Sequence, residues 1–304
     1  MPADLIPGQP GNGSAWAMLA TLIIVWGVNW PVMKIGLGHI DPFAFAWFRM
    51  AAGCFCLFAV LAMQGRLGWF DRRDLPVILS VGLLQMFGFM AIANVALVEL
   101  AAGRAAILGY STPLWVGPIA MLALGEHLGR RRIAGLAVGL GGLAVLFNPL
   151  TFDWSNRAGL IGNGLMLLAA FNWAIVIVHI RVHRWRQSVL QVAPWQMLVA
   201  LIVLTPIVLL YEGVPTIAWN SELLWVLLYN GPIATAFAFW LNTSVNRRLP
   251  ATTFSVSALA IPAVGLASSA LALHEPVPLS QLAGFALIGV GIILVVRAGP
   301  RRPA

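Results

Sequence analysis

The sequence predicts an all-α integral membrane protein of ten transmembrane helices, built as an inverted repeat of five plus five helices. Three observations indicate this fold class: the composition, the spacing of the apolar segments, and a similarity between the two halves of the chain. Of the 304 residues, 60% are hydrophobic and 9% are charged, and the mean hydropathy is +0.89. A water-soluble domain of this length needs more polar residues to cover its surface, whereas a chain surrounded by lipid does not.

Apolar segments of about 20 residues, the length that crosses a hydrocarbon core of about 30 Å, recur ten times along the chain. Connections rich in Gly, Pro and charged residues separate them, as expected at a water interface. The predicted spans are 15–36, 43–64, 75–98, 104–124, 133–149, 158–180, 190–211, 221–245, 252–273 and 280–297. We expect residues 1–14 to be a disordered tail rich in Pro and Gly, and residues 298–304 to be a short cytoplasmic tail.

The basic residues predict the orientation of these spans, because Lys and Arg in short loops stay on the cytoplasmic side. With a cytoplasmic N-terminus, fourteen of the eighteen Lys and Arg residues lie inside, namely Arg66, Arg72, Arg73, Arg130, Arg131, Arg132, Arg181, Arg184, Arg186, Arg247, Arg248, Arg297, Arg301 and Arg302. We therefore expect both termini in the cytoplasm and the chain in a bacterial-type inner membrane. Because these arginines form short clusters between apolar runs, we expect no nucleic-acid partner.

The second half of the chain repeats the first. The stretch LALGEHLGRRRIAG (122–135) returns as LALHEPVPLSQLAG (271–284), and an ungapped offset of 149 gives ten identities in 45 pairs. Pro113 pairs with Pro262, and Glu126 pairs with Glu275. The predicted repeats are residues 15–149 and 158–297. An odd number of spans per repeat makes the second copy enter the membrane from the opposite side, which explains why only the cytoplasmic copy keeps its three arginines.

Inverted repeats have a functional implication, because two such halves can exchange conformations and open a shared site to each side in turn. Prolines interrupt several spans, among them Pro31, Pro113, Pro232 and Pro262. Each removes a backbone donor and frees a carbonyl one turn earlier, which is compatible with an ordinary kink. The matched positions of Pro113 and Pro262 favour a mechanical role.

Several stretches carry a resemblance to a known family: VWGVNWPVMKIG (25–36), ALVELAAGRAAILGYSTPLWVGPIAMLALGE (96–126), RRIAGLAVGLGGLAVL (131–146), ALHE (272–275) and LAGFALIGVGIILV (282–295). Over about residues 15–297 the chain resembles the drug/metabolite transporter superfamily, in particular its EamA family and the bacterial amino-acid exporters of the aromatic type. The resemblance implies export of small metabolites. It also implies a central cavity lined chiefly by spans one, three, four, six, eight and nine, with spans five and ten peripheral.

Polar and aromatic residues near mid-span are the candidates for substrate contact, since polar groups in lipid are costly unless they bond or function. They are Asn29, Trp30, Gln85, Asn94, Tyr110, Ser111, Asn172, Trp173, Trp240 and Asn242. An aromatic wall with amide groups suits a zwitterion that carries a partly apolar side chain. The alternative is structural: amides that bond helix to helix, and tryptophans that anchor at the lipid interface.

Five further residues are candidates for gating or structure: Arg49, Pro113, Glu126, Pro262 and Glu275. For Arg49 we favour a brace that pairs with Asp41 or caps carbonyls, over direct binding of a substrate carboxylate, because an unpaired Arg in lipid is costly. Glu126 and Glu275 either gate the two faces or bond to nearby backbone. Every Asp and Glu lies near a span end, so proton antiport, exchange and facilitated diffusion all stay open.

Enzymatic chemistry has little support in the sequence. HExxH, GxSxG, P-loop and dinucleotide motifs are absent, so we expect no cofactor and no catalytic residues. His179 and His183 have the spacing of two metal ligands but stand among arginines, so we expect no metal. A membrane-embedded enzyme and a non-transporting scaffold are the alternative classes, and other metabolites or drugs the alternative substrates. The expected partners are a small molecule and lipid, and both a monomer and a homodimer stay open.

Overall fold

The structure, a computed structural model, describes residues 12–124, 129–147, 155–248 and 260–297. These residues form ten helical rods and no β-strand. The rods are α1 (Asn12–Gly36), α2 (Pro42–Met63), α3 (Arg72–Glu99), α4 (Ala102–Gly109 and Thr112–Leu124), α5 (Arg130–Phe147), α6 (Arg157–Val182), α7 (Val189–Glu212), α8 (Ser221–Leu228, Tyr229–Phe237 and Ala238–Arg248), α9 (Ala260–Leu273) and α10 (Leu279–Arg297).

Seven helices of the described part are long and apolar enough to cross a membrane. Three shorter apolar helices accompany them, at Ile133–Leu146, Ala260–Leu273 and Leu279–Leu294. Each apolar segment of the sequence coincides with one of the ten rods, and the ends agree to about three residues. The ninth segment differs, because its residues 252–259 lie outside the described residues.

The break in α4 follows from Pro113, whose nitrogen has no hydrogen to donate to the carbonyl of Gly109. Two hydroxyl groups replace the missing bonds. Thr112 Oγ1 donates to the Gly109 carbonyl at 2.9 Å, and Ser111 Oγ donates to the Leu108 carbonyl at 2.6 Å. The break lies in the buried interior and exposes Tyr110 between the two helical pieces. Pro262 lies in the first turn of the described part of α9, near the corresponding position of the second half.

Each half has a wide π-helical segment in its third helix, at Val81–Phe89 in α3 and at Tyr229–Phe237 in α8. In the second segment, Pro232 removes a backbone donor, and Thr235 Oγ1 donates to the Asn230 carbonyl at 2.7 Å. Such π-turns shift the register of side chains along a helix and are frequent at functional sites. Here they direct Gln85 and Thr235 into the same interior space.

Two glycine-lined helices pack at the side of the bundle, because α5 and α10 approach to backbone contact. A Cβ atom on Gly291 would lie 2.5 Å from the Gly139 nitrogen and 2.6 Å from the Gly135 oxygen. A Cβ on Gly142 would likewise meet the Gly284 oxygen at 2.9 Å. The glycine spacing in α5 therefore serves close packing against another helix of the same chain.

Candidate functional site

An interior cavity lies between α1, α2, α3, α4, α6 and α8, so both halves of the chain contribute to its wall. Its open space is about 630 Å³, counting the part that is continuous with the outside. Neither α5 nor α10 reaches it, and among the described residues α9 does not line it either.

Six aromatic side chains line the cavity. They are Trp26, Trp30, Phe89, Tyr110, Trp173 and Phe239. Trp173 lies at the centre of this group, and its ring meets Trp26, Phe89 and Tyr110 edge to face, with centroids 6.4, 5.1 and 5.8 Å away. Edge-to-face contacts fix the orientation of each ring. The cavity therefore has a rigid apolar wall that fits an apolar or aromatic group.

Arg49 supplies the only charged side chain among the described residues that line the cavity. The side chain is 3% exposed. Its Nε donates to Thr235 Oγ1 at 2.7 Å, and its Nη1 lies 3.2 Å from Met33 Sδ. No carboxylate of the described residues lies within ion-pair distance of it. The remaining guanidinium donors are therefore available to an anion.

The expected brace between Arg49 and Asp41 is wrong. Asp41 accepts a long hydrogen bond from Thr216 Oγ1, at 3.4 Å, while Arg49 bonds to the π-helical segment of α8, 186 residues away. The reason is geometric: Arg49 lies two turns into α2 and faces the interior, whereas Asp41 precedes the helix at its end.

Asn29 lies beside Arg49 across the sulfur of Met33. Its Nδ2 donates to Met33 Sδ at 2.9 Å, and its Oδ1 is buried without a hydrogen-bond partner. An unpaired buried carbonyl oxygen costs free energy unless a ligand or water satisfies it. Donor groups of Arg49 and an acceptor of Asn29 thus lie next to each other on the cavity wall.

Two other polar groups on the wall have no hydrogen-bond partner among the described residues. Gln85 and Tyr110 both line the cavity, and neither forms a side-chain hydrogen bond with the described residues. Of the ten residues predicted to contact substrate, the structure thus brings five together on one cavity: Asn29, Trp30, Gln85, Tyr110 and Trp173.

The other five lie elsewhere. Asn94 donates to the Pro42 carbonyl at 3.1 Å, Ser111 closes the break in α4, and Asn172 packs against Gly88. Trp240 stacks on Phe237 and is 41% exposed, while Asn242 lies further along α8. These side chains hold helices together or face outward, as the structural alternative for amides and tryptophans anticipates.

Sequence reasoning missed several lining residues, of which Trp26 and Met33 had a visible signal. Residues 26, 29, 30 and 33 follow the spacing i, i+3, i+4 and i+7, so they share one face of α1. That stripe extends the predicted pair Asn29 and Trp30 by a turn in each direction. Thr235 had no such signal, because the π-helical segment that directs it inward changes the helical period.

Residues 12–148 and 160–297 each match the EamA-like transporter family. The chain belongs to this family. A probable amino-acid metabolite efflux pump of Salmonella typhimurium is 28% identical over 90% of this chain and 92% of its own length. A probable terminal-alkyne amino-acid exporter of Streptantibioticus cattleyicolor is 27% identical over 96% of both chains. A solved crystal structure shares the fold, with a TM-score of 0.61 and 22% identity over 93% of this chain and 96% of that chain.

In this EamA transporter, acidic residues join the two halves at one end of the bundle. This end carries the α1–α2, α7–α8 and α9–α10 connections, and we call it the α1–α2 end. Glu275 accepts from the backbone N–H groups of Ala102 and Gly103, at 2.7 and 3.1 Å. Glu212 accepts from those of Phe43 and Ala44, at 2.8 and 2.9 Å. Each carboxylate of the second half therefore caps the N-terminus of a helix in the first half.

Lys34 closes the same end from the first half. Its Nζ donates to the carbonyls of Leu97, Val98 and Leu100 at 2.6 to 3.0 Å, and so caps the C-terminus of α3. Glu126, the repeat partner of Glu275, lies outside the described residues.

At the opposite end, Asp74 accepts from His183 Nε2 at 2.9 Å and from the backbone N–H groups of Arg186 and Gln187. His179 Nδ1 lies 2.6 Å from Ser80 Oγ. The histidine pair thus joins α6 to α3, and no group of three metal-ligating side chains occurs among the residues that the structure describes.

Proposed function

We propose that this EamA transporter exports amino acids from the cytoplasm by alternating access, in a bacterial inner membrane. The observation that carries the proposal is the cavity between the two halves, where one guanidinium without a counter-charge faces a wall of aromatic rings. A guanidinium recognises a carboxylate with parallel N–H···O bonds, and the aromatic wall accepts an apolar side chain.

An inverted repeat of residues 15–149 and 158–297 accounts for the helix packing. The repeat would make α1 equivalent to α6, α2 to α7, and so on, so each packed helix pair should have a packed equivalent. The pair α1–α9 corresponds to α6–α4, α3–α6 to α8–α1, and α3–α7 to α8–α2, and all of these pairs are in contact. The pairs α2–α7, α4–α9 and α5–α10 map onto themselves. The family likewise matches the chain twice. Five crossings in each repeat would invert the second copy, which makes ten spans and a two-fold axis in the membrane plane.

Orientation and direction have separate support. Basic residues gather in connections at one end of the bundle, so that end is cytoplasmic and the α1–α2 end faces outward. Two relatives over nine-tenths of the chain are named as an amino-acid metabolite efflux pump and an amino-acid exporter. Export of amino acids is the function that agrees both with the names of these relatives and with the side chains of the cavity.

Counterflow in proteoliposomes that contain only this protein tests the proposal. Vesicles are preloaded with single unlabelled amino acids, and uptake of a labelled one is measured. We expect exchange, with Arg49→Gln raising the half-saturating concentration at least tenfold and Arg157→Gln, an exposed arginine at the start of α6, leaving it unchanged. An absence of flux for every amino acid would contradict the proposal, and so would an Arg49→Gln protein with normal affinity.

A further inference from the structure

The net charge of the cavity bears on which amino acids it accepts. Fourteen of the described residues line it, and they include one arginine but no Asp, Glu, Lys or His. The cavity therefore carries one positive charge that nothing in the described part of the chain neutralises. Because Arg49 is 3% exposed, water screens this charge only weakly.

Arg49 and Asn29 together form a small polar subsite. Both bond to Met33 Sδ, at 3.2 and 2.9 Å, so their head groups lie on either side of one sulfur atom. Arg49 offers N–H donors, and the buried Asn29 Oδ1 offers an acceptor that has no donor of its own. A carboxylate with an ammonium on the adjacent carbon satisfies both groups and adds no net charge, so the occupied subsite keeps the single positive charge of Arg49.

We propose that the cavity sorts its substrates by net charge: Arg49 and Asn29 take the carboxylate and ammonium of a zwitterion with an uncharged side chain, and the site rejects a substrate that carries a net positive charge. This inference rests on the proposed function. It extends to hydrophobic cations that lack a carboxylate, which the site also excludes.

The physical reason is the absence of a second counter-charge. A zwitterion neutralises Arg49 with its carboxylate, and its ammonium meets Asn29 Oδ1. A side-chain ammonium, as in lysine, reaches the aromatic wall and finds no carboxylate there. The faces of Trp and Tyr rings attract cations, but that attraction is smaller than the cost of taking an ammonium out of water beside a guanidinium.

Norleucine and lysine make a matched pair for the test, because lysine has the same straight side chain with a terminal ammonium. Counterflow of each is measured with the wild type and with Gln85→Glu, which adds a carboxylate to the wall at a side chain that forms no hydrogen bond in the chain. Wild type is expected to exchange norleucine at least tenfold faster than lysine at limiting concentration. In Gln85→Glu this ratio is expected to fall at least tenfold.

Two further variants keep the test decisive. Met90→Glu adds the same charge at another lining residue of α3 and serves if Gln85→Glu fails to fold, with the same expected fall in the ratio. Asn156→Asp adds it at an exposed helix cap far from the cavity, where aspartate also caps well, and is expected to leave the ratio unchanged.

Outcomes separate the two proposals. Equal exchange of lysine and norleucine by the wild type overturns the charge inference and leaves amino-acid export standing. A ratio that stays the same in both cavity variants overturns it as well. If no amino acid is exchanged at all, the proposed function fails and this inference fails with it.

Discussion

Replacing Glu275 by Gln tests whether the contact between α4 and the α9–α10 connection is a gate. The carboxylate accepts two backbone N–H bonds, at 2.7 and 3.1 Å, from the first residues of α4. Gln keeps the length of the side chain and one acceptor oxygen, but its NH₂ group cannot accept the second bond. The negative charge at a helix N-terminus is also lost.

The magnitude follows from the bond that disappears. A hydrogen bond to a charged group contributes about 1.5–3 kcal/mol, and because Glu275 is partly exposed we take the lower part of that range, about 1.5–2 kcal/mol. Each 1.4 kcal/mol is a factor of ten in an equilibrium constant. If the contact exists only when the α1–α2 end is closed, the open population rises about 10- to 30-fold.

A thiol in the cavity measures that population. The reporter is Gln85→Cys in a chain with Cys54 and Cys56 replaced by Ala, labelled by an impermeant maleimide from outside the vesicle. We expect Glu275→Gln to raise the labelling rate about 10- to 30-fold. Glu222→Gln is the control. It breaks the ion pair between Glu222 and His39 at the same end of the bundle, where the Glu222 side chain is 58% exposed, and it is expected to change the labelling rate less than about fivefold. Equal labelling rates with Glu275 and with Gln would refute the gate and leave Glu275 as a helix cap.

Three other predictions concern packing and the cavity wall. Gly291→Ala is expected to lower the free energy of unfolding by about 1–3 kcal/mol, because the added Cβ would meet the backbone of α5. Gly289→Ala adds a Cβ in open space and is expected to raise the free energy of unfolding by up to about 1 kcal/mol. Thermal unfolding in detergent compares the two variants. Lys34→Met leaves three carbonyls at the end of α3 without their donor and is expected to lower the unfolding temperature by several degrees in the same assay, so an unchanged temperature would contradict the cap. Trp173→Ala removes the central ring of the wall and is expected to weaken counterflow of phenylalanine at least tenfold more than that of alanine, so equal losses would argue against an aromatic side-chain pocket.

Helix positions could be predicted from the sequence because a lipid solvent imposes a length and an apolar composition on every span. The repeat remains a prediction, which rests on the fixed offset of Pro113 and Pro262 and of the two LAL stretches. Membership of the EamA family, expected from those stretches, is confirmed by matches over both halves. These features are local or periodic, so one sequence suffices to show them.

Contacts between distant helices were beyond the same reasoning. Arg49 bonds to Thr235, which an irregular π-helical turn directs inward, and no local pattern announces that turn. Ser111 lay near mid-span as a substrate candidate, yet its hydroxyl donates to the Leu108 carbonyl beside the break at Pro113. Polar residues in membrane helices either bind a ligand or form hydrogen bonds with unpaired backbone groups. Only their partners in the structure distinguish these two roles.

Labelling the cavity from both sides tests the central claim, that one cavity between the two halves opens to each side in turn. The Gln85→Cys reporter is labelled in right-side-out and in inside-out vesicles, with and without a transported amino acid. The account predicts labelling from both sides, and protection by the amino acid in both orientations. Labelling from one side alone under every condition, or labelling that no amino acid slows, would contradict it.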